Sequence, residues 1–207
     1  MRKMKFFADL DQEERWLNDM AKQGYVLSGK SFGYTFEQVE HNDAVIRIDY
    51  RTFQRKDDFH DYVALFEDSG WTHLAGTRHS GTQYFMKNKA SSSDDIFSDI
   101  DSKAGRYKRF ADMWASISAG FIPILFVFYI TDTVNPARIL DPKSLYYTPG
   151  LWEKAGWDFW FSFLFETPFA LIRGFSWWFI VLTVVLAVYF QVKAKRQYER
   201  SRKGQMT

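Results

Sequence analysis

Cysteine is absent from the 207 residues, which excludes disulfides, thiolate zinc sites and thiol chemistry. Histidine is scarce. His41, His60, His73 and His79 show no HExxH spacing and no pair placed to grip a metal from one helix. His60 and Asp61 with His73 and His79 come nearest to a metal set, but scattered surface histidines account for them more simply. Charge of one sign is not in excess either: 27 Lys and Arg stand against 25 Asp and Glu. The chain therefore lacks the basic footprint of a nucleic-acid-binding protein. A phosphate-cradling glycine loop and a GxSxG nucleophile elbow are missing, since Gly29, Gly33 and Gly76 stand alone at turns. The pairs Glu13-Glu14 and Asp57-Asp58 fall at helix starts, where the helix dipole favours negative charge without any acid–base role. These absences leave enzyme chemistry without a foothold. They predict no catalytic residue, no cofactor and no metal.

Charge is missing locally as well, from Met113–Ile130 and from Phe175–Val192. Each run is close to the roughly 20 apolar residues that a membrane-crossing helix needs. Basic residues crowd the outer approaches. Lys103, Arg106, Lys108 and Arg109 precede the first run; Lys193, Lys195, Arg196, Arg200, Arg202 and Lys203 follow the second. Trp114, Trp152, Trp157, Trp160, Trp177 and Trp178 sit where membrane interfaces are expected. Two core helices of a soluble protein are the alternative, but uncharged runs this long favour lipid. The positive-inside rule places both termini in the cytosol and residues 131–174 outside, among them Asp132, Asp141, Glu153, Asp158 and Glu166. The first residues lack the apolar core and cleavage site of a signal peptide, so the first membrane helix is expected to direct insertion.

The stretch 157–172 is nearly as apolar but carries Glu166 and Pro168. It reads as a helix lying in or dipping into the outer interface, with a third span as the alternative. Glu166 is the polar residue at membrane depth, and Arg173, seven residues on, is its expected partner.

Before residue 90 the pattern is α+β. A strand Lys3–Ala8 leads to a helix Asp11–Lys22, with Asp11 as N-cap, Glu14 in the capping-box position and Trp16, Leu17 and Met20 inward. Gly24 stops it, and strands Tyr25–Lys30 and Tyr34–Val39 follow. The order then recurs. Strand Ala44–Tyr50 precedes a helix Asp57–Asp68, then Gly70, then strands Trp71–Thr77 and Thr82–Lys87. This predicts a duplicated β-α-β-β unit forming one six-stranded, mostly antiparallel sheet with two helices on one face. Chance likeness of two short α+β stretches is the alternative. The expected organisation is a cytosolic α+β domain over 1–90, a polar linker and juxtamembrane helix over 91–109, and a transmembrane hairpin over 110–207. Its helices fall at about 110–130 and 175–193, before a basic tail.

Two groups of side chains invite a binding role. On a strand, Arg47, Asp49 and Arg51 share one face, with Glu37 expected on a neighbouring strand. That face is a recognition surface for a protein, peptide or anion, or a solvated face tied by cross-strand charge pairs. Trp16, Tyr34, Tyr50 and Trp71 line a ligand cleft between the two units, or fill the core.

The strings Lys5-Phe6-Phe7, Glu14-Arg15-Trp16-Leu17-Asn18 and Ala21-Lys22-Gln23-Gly24-Tyr25 resemble a bacterial family, domain-of-unknown-function family 2812. So do Phe32-Gly33-Tyr34-Thr35-Phe36, Arg47-Ile48-Asp49-Tyr50-Arg51 and Phe66-Glu67-Asp68-Ser69-Gly70-Trp71. The likeness covers about Lys3 to Lys89. It implies a soluble domain followed by membrane helices in a bacterial cytoplasmic membrane. It also implies a regulatory setting beside PadR-type transcriptional regulators, in envelope or drug stress, and transfers no catalytic residue. The expected function is a non-catalytic sensor or adaptor whose partners are membrane lipids and a protein, homo-oligomerisation being left open. Capture of a drug-like ligand in a GyrI-like architecture is the alternative.

Overall fold

The computed structural model describes residues 1–39, 44–87, 95–97, 100–131 and 141–203, apart from the side chains of Ile100, Ser176 and Trp177. His41, Asp132 and the polar bridge at 91–94 lie outside them. The chain forms two compact units, one of Met1–Asp112 with Val192–Thr207, the other of Met113–Gln191.

In the first unit, helix α1 (Leu10–Lys22) begins at Asp9. Its carboxylate accepts from the N–H groups of Asp11 at 3.0 Å and Gln12 at 3.3 Å, so Asp9 is the N-cap and not Asp11. The earlier start leaves the Asp11 and Glu14 side chains free for distant partners. Leu10, Leu17, Met20 and Ala21 form the buried stripe, and burying a side chain of Leu17's size contributes roughly 1.5–3 kcal/mol. Helix α2 (Lys56–Asp68) starts after Arg55 without a side-chain cap and buries Tyr62. Gly24 and Gly70, at φ of 82° and 84°, turn the chain out of the two helices.

The strands are β1 (Arg2–Lys3), β2 (Tyr25–Lys30), β3 (Tyr34–Gln38), β4 (Ile46–Tyr50), β5 (Trp71–Ala75) and β6 (Thr82–Lys87). β1 is much shorter than the expected Lys3–Ala8, because Phe7 turns aside to pack on Trp16 at 5.2 Å and Tyr34 at 6.2 Å. The strands make two antiparallel three-stranded sheets, ordered β1-β3-β2 and β4-β6-β5, and not one six-stranded sheet. The edge strands β2 and β5 are both bulged, at Leu27/Gly29 and His73/Ala75. Bulges bend and twist a strand, which works against extending a ladder across those edges. The second sheet carries the aromatic core of Phe53, Tyr62, Trp71 and Phe85, flanked by Phe59, Phe66 and Ile96.

Helix α3 (Ile100–Ile130) contains Pro123, and helix α4 (Gly156–Lys203) contains Pro168. Both helices are long and apolar enough to cross a membrane. Within the second unit, Phe126, Phe179, Leu182 and Val185 are exposed, whereas Ser118, Ala170 and Ala187, all small, are buried. Large exposed apolar side chains beside small buried ones suit helices of a length and composition that could cross a membrane.

The stretches 157–172 and 175–193, expected as separate helices, are one continuous helix. Gly174 keeps helical geometry, and the polar groups that argued for a break are satisfied. Glu166 accepts from the N–H groups of Tyr147 and, at 2.8 Å, Thr148, and pairs with Arg173 at 2.9 Å. Arg173 also donates to the Leu145 carbonyl at 2.6 Å and lies 4.1 Å from the Tyr147 ring. The pair expected from sequence thus fastens residues 145–148 to α4.

Candidate functional site

β4 is an edge strand. Arg47 and Asp49 stand opposite Phe85 and Gln83 of β6. Lys87 N–H bonds to Val45 and Arg51 N–H to Gly81, so the odd-numbered residues bond toward β6. The even residues Ile46, Ile48 and Tyr50 aim their peptide groups outward, where each unpaired one would carry a desolvation cost.

Side chains from α1 and α3 fill that edge. The Asn18 amide accepts from Ile46 N–H at 2.7 Å and donates to Ile46 C=O at 3.0 Å, as a neighbouring strand would. Glu14 accepts from Ile48 N–H at 3.1 Å. Arg106 donates to the Ile48 carbonyl at 2.7 Å, and Arg109 Nε donates to the Tyr50 carbonyl. Four side chains thus do the work of a missing strand.

The charges behind this seam are interlocked. Arg106, 1 % exposed, reaches Asp11 at 2.5 Å and Glu14 at 3.1 Å. Glu14 also holds Arg47 at 2.9 Å. Arg109 pairs with the buried Asp49 at 2.7 Å, and Tyr62 donates to the same carboxylate at 2.9 Å. Burial, then the Asp49 charge, pushes the Tyr62 hydroxyl well above its ordinary pKa. A buried ion network adds little net stability over an apolar substitute. Removing one member leaves an uncompensated charge and costs roughly 3–5 kcal/mol. Its physical yield is position: the first turns of α3 are fixed on β4.

A second buried carboxylate pins the two sheets. Glu13 accepts from Tyr34 of β3 at 2.7 Å and from Tyr84 of β6 at 2.5 Å. Burial raises its pKa, while the Tyr84 and Tyr34 hydroxyls and the Lys30 charge oppose the rise. Among the described residues no group of histidines and carboxylates could hold a metal. Glu14, Asp49, Arg106 and Arg109 are all engaged in structural bonds, so the arrangement couples α1 and α3 to β4.

The residues singled out from sequence are dispersed. Arg47 and Asp49 turn to α1 and α3, where Arg109 takes the carboxylate expected to sit between Arg47 and Arg51. Arg51 is exposed, its guanidinium over the Phe53 and Tyr62 rings at 5.5 and 5.7 Å. Glu37 is exposed opposite Val26 in the other sheet, away from β4. Trp16 packs on Tyr34 at 4.8 Å, Trp71 belongs to the second-sheet core, and Tyr50 packs on Phe110 at 5.1 Å. Among the described residues, these contacts divide the four rings among separate packing clusters. Arg106 and Arg109 escaped the sequence reading, which placed them among the membrane-flanking bases. Their three-residue spacing on one helical face was the available signal.

Residues 9–119, more than half the chain, match the family of proteins of unknown function designated DUF2812. The chain belongs to the DUF2812 family. The DUF2812 match starts at the α1 N-cap and runs past β6 into α3, so it contains every residue of the seam. No curated protein and no solved structure matches the chain.

Proposed function

We propose that this DUF2812 protein is a membrane-anchored, non-catalytic sensor or adaptor in a bacterial cytoplasmic membrane. In this reading α3 and α4 cross the lipid, both termini and the α+β domain are cytosolic, and the seam passes movements of α3 to β4. The observation that carries it is the buried Arg106, which ties an apolar helix to α1 and to the β4 backbone by three short bonds. α4, at about 72 Å from its 48 residues, is more than twice as long as the roughly 30 Å hydrocarbon layer. Its outer part and residues 141–154 would then project from the far face. The cytosolic output is a protein partner, with a PadR-type regulator in an envelope stress response as the candidate. The matching strand orders of the two sheets and their paired helices support an origin by duplication of a β-α-β-β unit.

Amide exchange at Ile48 tests the reading in the full chain, reconstituted in nanodiscs of two bilayer thicknesses. A sensor predicts thickness-dependent exchange in the wild type. Arg106→Ala should exchange faster and lose the dependence. Equal exchange in all four samples would overturn the proposal.

A further inference from the structure

Beside the seam lies a cavity of about 380 Å³, bounded by α2, β4, residues 96–97 and the start of α3. That volume falls within the 300–1,000 Å³ range of small-molecule sites. Its walls divide by chemistry. Leu65 and Phe66 of α2, with Ile96 and Phe97, supply an apolar side. Asp49, Arg51 and Arg109 supply the charged one. Among the described residues, two cations against one anion leave a single positive charge in excess.

Arg109 is committed to Asp49 and to the Tyr50 carbonyl. Arg51 differs: among the described residues it makes no ion pair, while the Phe53 and Tyr62 rings hold its guanidinium from below. An oriented guanidinium offers parallel N–H donors that fit a carboxylate or phosphate.

We infer that this cavity binds a small monoanion with an apolar body, the size of one aromatic ring or a short acyl chain, with Arg51 as its anchor. The body rests on Phe66, Ile96 and Phe97, and the head meets Arg51. Phe97 also lies 5.3 Å from the Arg106 guanidinium, so the ligand touches residues next to the seam. Binding stands by itself; its signalling consequence rests on the sensor reading.

The test uses the full chain in nanodiscs titrated with phenylacetate, with neutral 2-phenylethanol and cationic phenethylamine as controls. Saturable calorimetric binding of phenylacetate alone supports the site. Arg51→Gln should weaken it roughly tenfold or more, as loss of a charge-assisted hydrogen bond entails. Ser69→Phe, which fills the cavity from the end of α2 and spares every cation, should abolish it. No binding of phenylacetate up to about 1 mM, equal binding of the neutral control, or unchanged binding to Arg51→Gln would each overturn the inference. Phenylacetate that binds without altering Ile48 exchange would leave the site standing and remove the sensor. Thickness-dependent exchange without phenylacetate binding would do the reverse.

Discussion

α1 and α2 are each 13 residues long, and each leads through one capping residue to a glycine of nearly equal positive φ. Aligned on those glycines, Glu13, Glu14 and Asn18 of α1 stand where α2 has Phe59, His60 and Ala64. Phe59 joins the aromatic core at 5.5 Å from Phe53, and His60 and Ala64 are exposed. The three α1 residues reach Tyr34, Tyr84, Arg47, Arg106 and the β4 backbone. One scaffold therefore serves two ends: α2 covers a sheet, and α1 connects.

The largest blow to that contrast comes from the connecting side. Arg106→Ala takes the cation from Asp11, leaves Glu14 with Arg47 alone and unpairs the Ile48 carbonyl. It should cost up to roughly 3–5 kcal/mol, read as a shifted denaturation midpoint of the intact chain in mild detergent. Asn18→Ala removes both bonds to Ile46 and should cost about 1–3 kcal/mol, whereas Ala64→Asn at the equivalent α2 position should change stability by less than about 0.5 kcal/mol. Equal effects of those two would erase the distinction between the helices.

The glycines sharpen the comparison by agreeing. Gly24→Ala and Gly70→Ala each force a side chain into left-handed backbone and should each cost about 1–2 kcal/mol. At Gly24 the new Cβ would also meet the Val39 carbonyl oxygen at 3.1 Å. Glu13 should show itself through pH. Its raised pKa means the folded state holds the proton more tightly than the unfolded chain does. Its contribution is thus complete below the ordinary value of 4.5 and is lost as pH rises through the folded value. Glu13→Gln should flatten that fall in a series of denaturation curves. The smallest effect belongs to the exposed pair Arg202–Asp101, at 3.6 Å, where Asp101→Asn should cost under about 0.5 kcal/mol.

Local patterns were readable. β2 and β6 occupy the residues their alternation marked, Gly24 and Gly70 end the helices, and the apolar runs fall within α3 and α4. What escaped was non-local. Arg106 meets Ile48 across 58 residues and Asp11 across 95, and no periodicity encodes such a pairing. Arg106 beside Lys103 and Lys108 looks like a solvated base until the fold buries it. The division into two sheets depends on bulges at His73 and Leu27, each a matter of one surplus residue. The continuity of α4 depends on backbone donors from Tyr147 and Thr148, which quench the one carboxylate that seemed to interrupt it.

The Asn18 amide on Ile46 bears on crowding. Proteins confined to a sheet of lipid meet one another far more often than in bulk solution, in fixed orientation, and a bare strand margin would zip neighbours together. A carboxamide that occupies both bonding positions of Ile46 closes that margin at its start. On the membrane-anchored proposal, it would keep neighbouring copies from pairing along β4.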